Sequence, residues 1–210
     1  QFLYSSTPDL NNTIFKKSKI MNCKYIYLQH SPVSLNLIYN ENAFDAFDAI
    51  QVISEFQYKE IREIISKKNL KLKIFKSKYL FIEKQKIKIN NMQKTDVLIA
   101  PSWNTKFYEL KCHIDLIKNL KEKSISFKFR PHPMSLKKNE ISYDFFKNNK
   151  IEVDNSDYVN FNNYTFLISD WSGIFVEYSL LTFRKAYLIN NKKKLNNIKF
   201  DKFINKPIEI

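Results

Sequence analysis

The chain has 210 residues and a mass of 25.2 kDa, room for one ordinary domain or two small lobes with a real core. Hydrophobic residues make up 44% and charged residues 27%, a soluble globular balance that excludes wholesale disorder, and no run of about 18 apolar residues is present to span a membrane. The net charge of +14 invites nucleic acid or an anionic membrane as a partner, but only three of the 35 basic residues are Arg and the Lys residues scatter along the chain, which describes a solvated Lys-rich surface better than a nucleic-acid face.

The opening Gln1-Phe2-Leu3-Tyr4 has no initiator Met, basic n-region or long apolar stretch, and reads as the interior of a longer chain rather than a signal peptide. Tyr25 to Leu28 and Ala49 to Ile53 read as strands, and a helix follows from about Glu55 to Lys68. Leu70 to Phe75 alternates Lys with apolar residues and predicts a further strand. Ser66 to Lys94 holds ten Lys and one acidic residue, Glu83, and is the best candidate linker. Val97 to Ala100 is a short apolar run of the buried-strand kind, ended by Pro101. Phe107 to Lys123 predicts a helix with Leu110, Ile114, Ile117 and Leu120 on its apolar face. A strand at Ile125–Phe129, a helix near Glu140–Asn148, and strands at Ile151–Val153 and Tyr164–Ser169 come next. A helix from about Gly173 to Leu181 and a strand at Ala186–Ile189 complete the series. Strands alternating with helices predict parallel βαβ units and an α/β fold, in which ligands sit at the carboxyl ends of the strands.

Four polar clusters follow predicted strands: Gln29-His30-Ser31-Pro32, Pro101-Ser102-Trp103-Asn104, Arg130-Pro131-His132-Pro133, and Ser169-Asp170-Trp171-Ser172-Gly173. They hold two of three His, one of three Arg, both Trp and the only Gly. Lys, Asn, Ile, Phe and Tyr share A/T-rich codons and Gly does not. One Gly beside 23 Asn therefore reflects codon bias, and the Gly that remains points to a backbone constraint, a positive φ or a close ligand approach. Ser172 is a natural N-cap. The helix it starts offers free N–H groups and the positive end of a dipole to a phosphate, with Glu177 placed to reach ribose hydroxyls. Taken alone, these residues read better as an ordinary capped core helix, with Asp170 closing a turn. Two prolines stiffen the loop carrying Arg130 and His132. Arg grips phosphate bidentately, and His donates to a developing oxyanion or protonates a leaving group; a Pro-stiffened turn with a packed His is the equal alternative. His30 is placed to act as a general base or to be a plain exposed residue. His113, beside Cys112, reads as a half-buried helix residue without a role.

Two lone cysteines, Cys23 and Cys112, form no CxxC pair and predict a reducing, cytoplasmic setting with neither a disulfide framework nor a metal site. With one Gly there is no GxxxxGK[ST] loop and no GxGxxG; HExxH, GxSxG and DxD are also missing.

The clusters, in this order and spacing, resemble the CDP-glycerol glycerophosphotransferase family, the teichoic-acid polymerases and primases and their capsule-related cousins. The matching residues are Tyr27 to Pro32 (YLQHSP), Val97 to Asn104 (VLIAPSWN), Phe129 to Pro133 (FRPHP) and Leu167 to Tyr178 (LISDWSGIFVEY), with Tyr187 to Asn190 where the family places its last core strand. The pair RPHP and SDxSG is specific. The resemblance implies a GT-B fold of two Rossmann-like lobes: residues 1–91 as the latter part of an acceptor lobe with its linker, and residues 92–210 as most of a nucleotide-donor lobe. It implies transfer of glycerol phosphate from CDP-glycerol, or of a related CDP-polyol, to a hydroxyl of a surface polymer or lipid-linked acceptor, with release of CMP and no cofactor.

By the same resemblance His30 would deprotonate the acceptor, Arg130 and His132 would hold the pyrophosphate, and Ser102, Trp103 and Asn104 would line the cleft. Ser169, Asp170, Ser172 and Gly173 would bind donor phosphate and Glu177 the ribose. Nucleic acid would not be a partner, and peripheral contact with the inner membrane face would run through Lys-rich surfaces. The alternatives are a GT-B transferase with CDP-ribitol or a nucleotide sugar as donor, a basic non-catalytic module, and an inactive truncated homologue. The family's Gly-Tyr-Pro turn followed by Asp is replaced here by Lys78-Tyr79-Leu80 and Glu83. If that turn needs φ > 0, Lys78 would be strained.

Overall fold

The structure, a computed structural model, describes residues 1–14, 16–18, 22–85, 95–103, 106–190 and 196–207. The chain divides into two compact units, one formed by residues 1–80 together with 195–210 and the other by residues 81–194.

The first unit is built on a four-stranded, wholly parallel sheet. Its strands are β1 (Phe2–Ser5), β2 (Lys24–Tyr27), β3 (Ala49–Val52) and β4 (Lys73–Lys76), side by side in chain order. Tyr25, Tyr27, Ile50 and Val52 feed a core completed by Leu35, Phe44, Phe47 and, from helix α1 (Glu55–Lys68), Ile61 and Ile64. The ends of α1, which the sequence predicts over the same residues, are locally satisfied. Ser54 Oγ accepts from the Gln57 N–H at 3.1 Å, Lys67 and Lys68 lie in the last turn, and Asn69 closes the helix in the left-handed region at φ 51°. β1 carries no such signal: it is a sheet edge, and Phe2 and Tyr4 are exposed.

Residues 196–207, which the sequence reading grouped with the second lobe, pack on the first unit. The Asn196 and Asn197 N–H groups donate to the Leu37 carbonyl, and Asn197 Nδ2 donates to the Asn36 carbonyl at 2.9 Å. The Glu63 carboxylate accepts from the Ile204 and Asn205 N–H groups at 2.7 and 3.0 Å. Burial alone would raise the Glu63 pKa, but these backbone donors, with Lys67 beside them, hold it at about 2.

Helix α2 (Leu80–Gln85), inside the stretch expected to be linker, starts at the last residue of the first segment and belongs otherwise to the second unit. That unit then forms a parallel sheet from β5 (Thr95–Ile99), β6 (Phe127–Phe129), β7 (Tyr164–Ser169) and β8 (Ala186–Leu188), in the order β6-β5-β7-β8. Side chains of β5 alternate: Val97 and Ile99 enter one core with Phe107, Ile117, Leu120 and Phe146, while Leu98 enters another with Tyr164, Leu167 and Tyr178. The helix expected over Phe107–Lys123 is broken into α3 (Lys106–Glu109) and α4 (Cys112–Glu122). Lys111, left-handed at φ 56°, resets the phase, so His113, Ile117 and Leu120 are buried and Leu110 and Ile114, expected on the apolar face, are exposed. His113 is thereby a core residue, ringed by Phe107, Tyr108 and Phe145, and burial lowers its pKa. Short helices α5 (Pro133–Lys137) and α6 (Tyr143–Asn148) follow β6, and α7 (Ile174–Thr182) joins β7 to β8. Val153 makes a single bridge to Phe129 where a full strand was expected. Among the described residues no helix is long and apolar enough to cross a membrane.

Candidate functional site

In the second unit the chain goes from β5 to β6 on one side, then to β7 on the other, so the direction of winding reverses at β5. Outside the carboxyl ends of β5 and β7 such a sheet leaves a crevice. Three of the four polar clusters follow β5, β6 and β7 and meet at this edge.

The loops after β5 and β7 are fastened together. Asp170, 2% exposed, accepts from the Ser102 N–H at 2.6 Å through Oδ1, and Ser169 Oγ donates to the Ala100 carbonyl at 2.7 Å. A buried carboxylate held by a backbone donor positions the loop, and ordering two loops at a strand edge suits a preformed site. The loop after β6 joins them through an aromatic contact, with the Trp103 and His132 rings 6.2 Å apart. Lys138, at the other end of α5, puts its Nζ 4.5 Å from the centre of the Trp103 ring. The indole thus spans both ends of that helix. Nothing in the sequence separates Lys138 from the other lysines, and the sequence reading missed it.

His132 is the N-cap of α5, and Pro133 occupies the first position of the helix. Its Nδ1 accepts from the Met134 N–H at 3.1 Å, so in the neutral ring the proton sits on Nε2, a hydrogen-bond donor. Arg130 is committed elsewhere. Its Nη1 donates to the Ser156 carbonyl at 2.8 Å and pairs with Asp154 Oδ1 at 3.2 Å. Burial would raise the Asp154 pKa, but hydrogen bonds from Ser156 and Tyr164, aided by Arg130, lower it. Arg130 therefore fastens the loop after β6 to residues 154–156.

Ser172 and Gly173 open α7, with two departures from expectation. Gly173 itself is the N-cap and adopts φ −59°, ψ −16°, right-handed backbone open to any residue, so positive φ does not explain this glycine. Ser172 Oγ lies 3.5 Å from the Ile174 nitrogen, a long contact rather than a firm cap. Among the described residues the Gly173 N–H has no acceptor. Glu177 is half-buried in the first turn of α7. Asn104 lies outside the described residues.

His30 belongs to the first unit, in the loop after β2. Its Nδ1 meets Tyr27 Oη at 3.2 Å, and its ring packs edge-on against Tyr27 and Tyr39 at 6.5 and 6.1 Å. The residue is exposed on one side, but the packed ring is desolvated enough to lower its pKa, against a smaller upward pull from the Ser6 backbone. The Tyr79 hydroxyl donates to the His30 carbonyl at 3.0 Å, and Gln51 Nε2 reaches the Lys78 carbonyl at 3.4 Å. Lys78 is not among the residues with positive φ, so the substituted turn carries none of the strain its sequence suggested. Among the described residues no three His, Cys, Asp or Glu side chains cluster as metal ligands.

No known protein family's sequence profile matches the chain, and no curated protein matches it by sequence. Solved structures do. A structure of the wall teichoic acid polymerase TagF soaked with CDPG aligns over 90% of this chain and 53% of its own, with a TM-score of 0.54 at 14% identity. Another TagF structure, a histidine variant, aligns over 86% and 52%, with a TM-score of 0.51 at 16% identity. A third aligns over 85% and 52% at a TM-score of 0.50 and 16% identity. The fold is shared with TagF. It is GT-B-like, with two parallel α/β sheets, and the chain spans about half the length of the TagF chains it matches. The likeness is one of fold.

Proposed function

We propose that this chain carries the donor site and part of the acceptor site of a transferase that moves glycerol phosphate from CDP-glycerol to a hydroxyl of a surface polymer or lipid-linked acceptor, releasing CMP. The observation that carries this reading is the meeting of Ser102–Trp103, His132 and Asp170–Gly173 at the carboxyl edge of β5, β6 and β7. It is supported by a fold shared with a wall teichoic acid polymerase that has been soaked with CDPG, and by the paired RPHP and SDxSG motifs.

Phosphoryl transfer asks the protein mainly for positioning and for donors aimed at phosphate oxygens. His132 Nε2–H is one such donor, and the Gly173 N–H at the positive end of α7 is another. Asp170 and Arg130 act by holding loops in place. Glu177 is assigned to the ribose. His30, kept neutral by its packing, is the base for the acceptor hydroxyl. The cytosine donor, the acceptor and contact with a membrane face are parts of this proposal.

Two substitutions test the role of His132. In His132→Asn the amide oxygen still caps α5, so stability should stay within a few tenths of a kcal/mol, while His132→Ala should lose about 1 kcal/mol. Both should lose Nε2 and with it at least about a hundredfold in transfer from CDP-glycerol, the scale of one preorganised donor. Near wild-type turnover in a stable His132→Asn protein would overturn the assignment.

A further inference from the structure

We infer that Lys138 is the cation that binds the diphosphate of the nucleotide donor, the part that the sequence motif would give to Arg130. The inference rests on the donor-site reading above. Arg130 is anchored by Asp154 and Ser156 through Nη1, so it could meet a diphosphate only through Nε and Nη2 from that fixed place, and a second cation is needed to follow the ligand. Turning the whole group to a ligand would break its ion pair with Asp154, which Ser156 and Tyr164 would still hydrogen-bond.

Lys138 is the opposite case. It is exposed, its ammonium lies over the face of Trp103, and among the described residues it forms no ion pair. An exposed cation–π contact is weak, on the order of 0.5–1 kcal/mol, so the ammonium is kept near the site without being satisfied there. The indole that carries it also lies beside His132, and the loop bearing that indole is fastened to Asp170. A diphosphate beside His132 would therefore find Lys138 at the opposite end of the same helix, a mobile point charge with three donors. A dianionic diphosphate offers the ammonium more than a neutral ring does, so the side chain would leave Trp103 for the ligand.

Both Trp residues of the chain, Trp103 and Trp171, lie in the site loops, so their fluorescence reports binding directly. The experiment titrates CDP-glycerol, and separately inorganic pyrophosphate, into the full chain at two KCl concentrations. It compares wild type with Lys138→Met, which keeps the stem over the indole, and Lys138→Arg, which keeps the charge. We expect Lys138→Met to weaken CDP-glycerol binding about tenfold and to flatten its salt dependence, and Lys138→Arg to stay within about threefold. A residue that only packs on Trp103 would leave the salt dependence unchanged. Wild-type binding of CDP-glycerol with equal affinity and salt slope in Lys138→Met would overturn the inference and leave the donor site standing. Failure of folded wild type to bind either CDP-glycerol or pyrophosphate would overturn both.

Discussion

His30 shows how packing sets chemistry at the scale of one side chain. Its ring is held edge-on by Tyr27 and Tyr39, and the protonated form loses solvation there, so its pKa falls below the ordinary 6.5. For a general base this is useful, because the neutral, proton-accepting ring is the form present at pH 7. The acid limb of kcat/KM for transfer should therefore turn below pH 6.5, and His30→Gln should abolish turnover at every pH. An acid limb above 6.5 would remove His30 from the role. The same shift acts on stability. The folded pKa is depressed, so full stability holds above the unfolded value of 6.5 and declines as pH drops below it toward the folded pKa; His113, lowered by its own burial, adds with the same sign. Urea midpoints at pH 7.5 and 5.5 should show the decline, and His30→Gln should reduce it.

Among the elements, α1 and the segment clamped to it show what was legible beforehand and what was not. Ser54, the terminal lysines and Asn69 mark both ends of α1, and residues 55–68 are helical as their sequence predicts. β7 was equally readable, as an apolar run ending in a polar cluster. The break at Lys111 was not, because no local residue announces a Lys in the left-handed region. In the second unit, Ser102, Trp103, His132 and Asp170 follow the strand ends that the sequence marks. The pairing of Arg130 with Asp154, 24 positions along, was invisible because an ion pair between distant residues leaves no periodic trace. The clamp on residues 204 and 205 is of the same kind. Glu63 accepts their two N–H groups and also Asn205 Nδ2. Glu63→Ala should cost about 1–3 kcal/mol and speed hydrogen exchange at the Ile204 and Asn205 amides specifically. Because the folded pKa of about 2 lies below the ordinary 4.5, the clamp holds above pH 4.5 and weakens as pH falls through that window. Unchanged exchange at those amides in Glu63→Ala would show that the segment is held by its other contacts.

Over the whole molecule, the two units differ in how the chain supplies them. The second is one continuous stretch, residues 81–194, while the first needs residues 1–80 and 195–210 together. Expressed alone, residues 81–194 should fold and still bind CDP-glycerol, since Ser102, His132, Lys138 and Asp170 all lie within them. Residues 1–80 alone should be far less stable, because Leu37, Asn36 and Glu63 would lose the partners that 196–205 provide. Denaturant unfolding of the two fragments, with and without an added 195–210 peptide, checks this. A 1–80 fragment as stable as the full chain would show the returning segment to be dispensable.

The split supply also sets an order of events at the ribosome. Residues 1–80 are made before residues 196–205, which partner Asn36, Leu37 and Glu63 only after residues 81–194 have been made. For that interval the Asn36 site, between β2 and β3, and the Glu63 site, on α1, are without these partners.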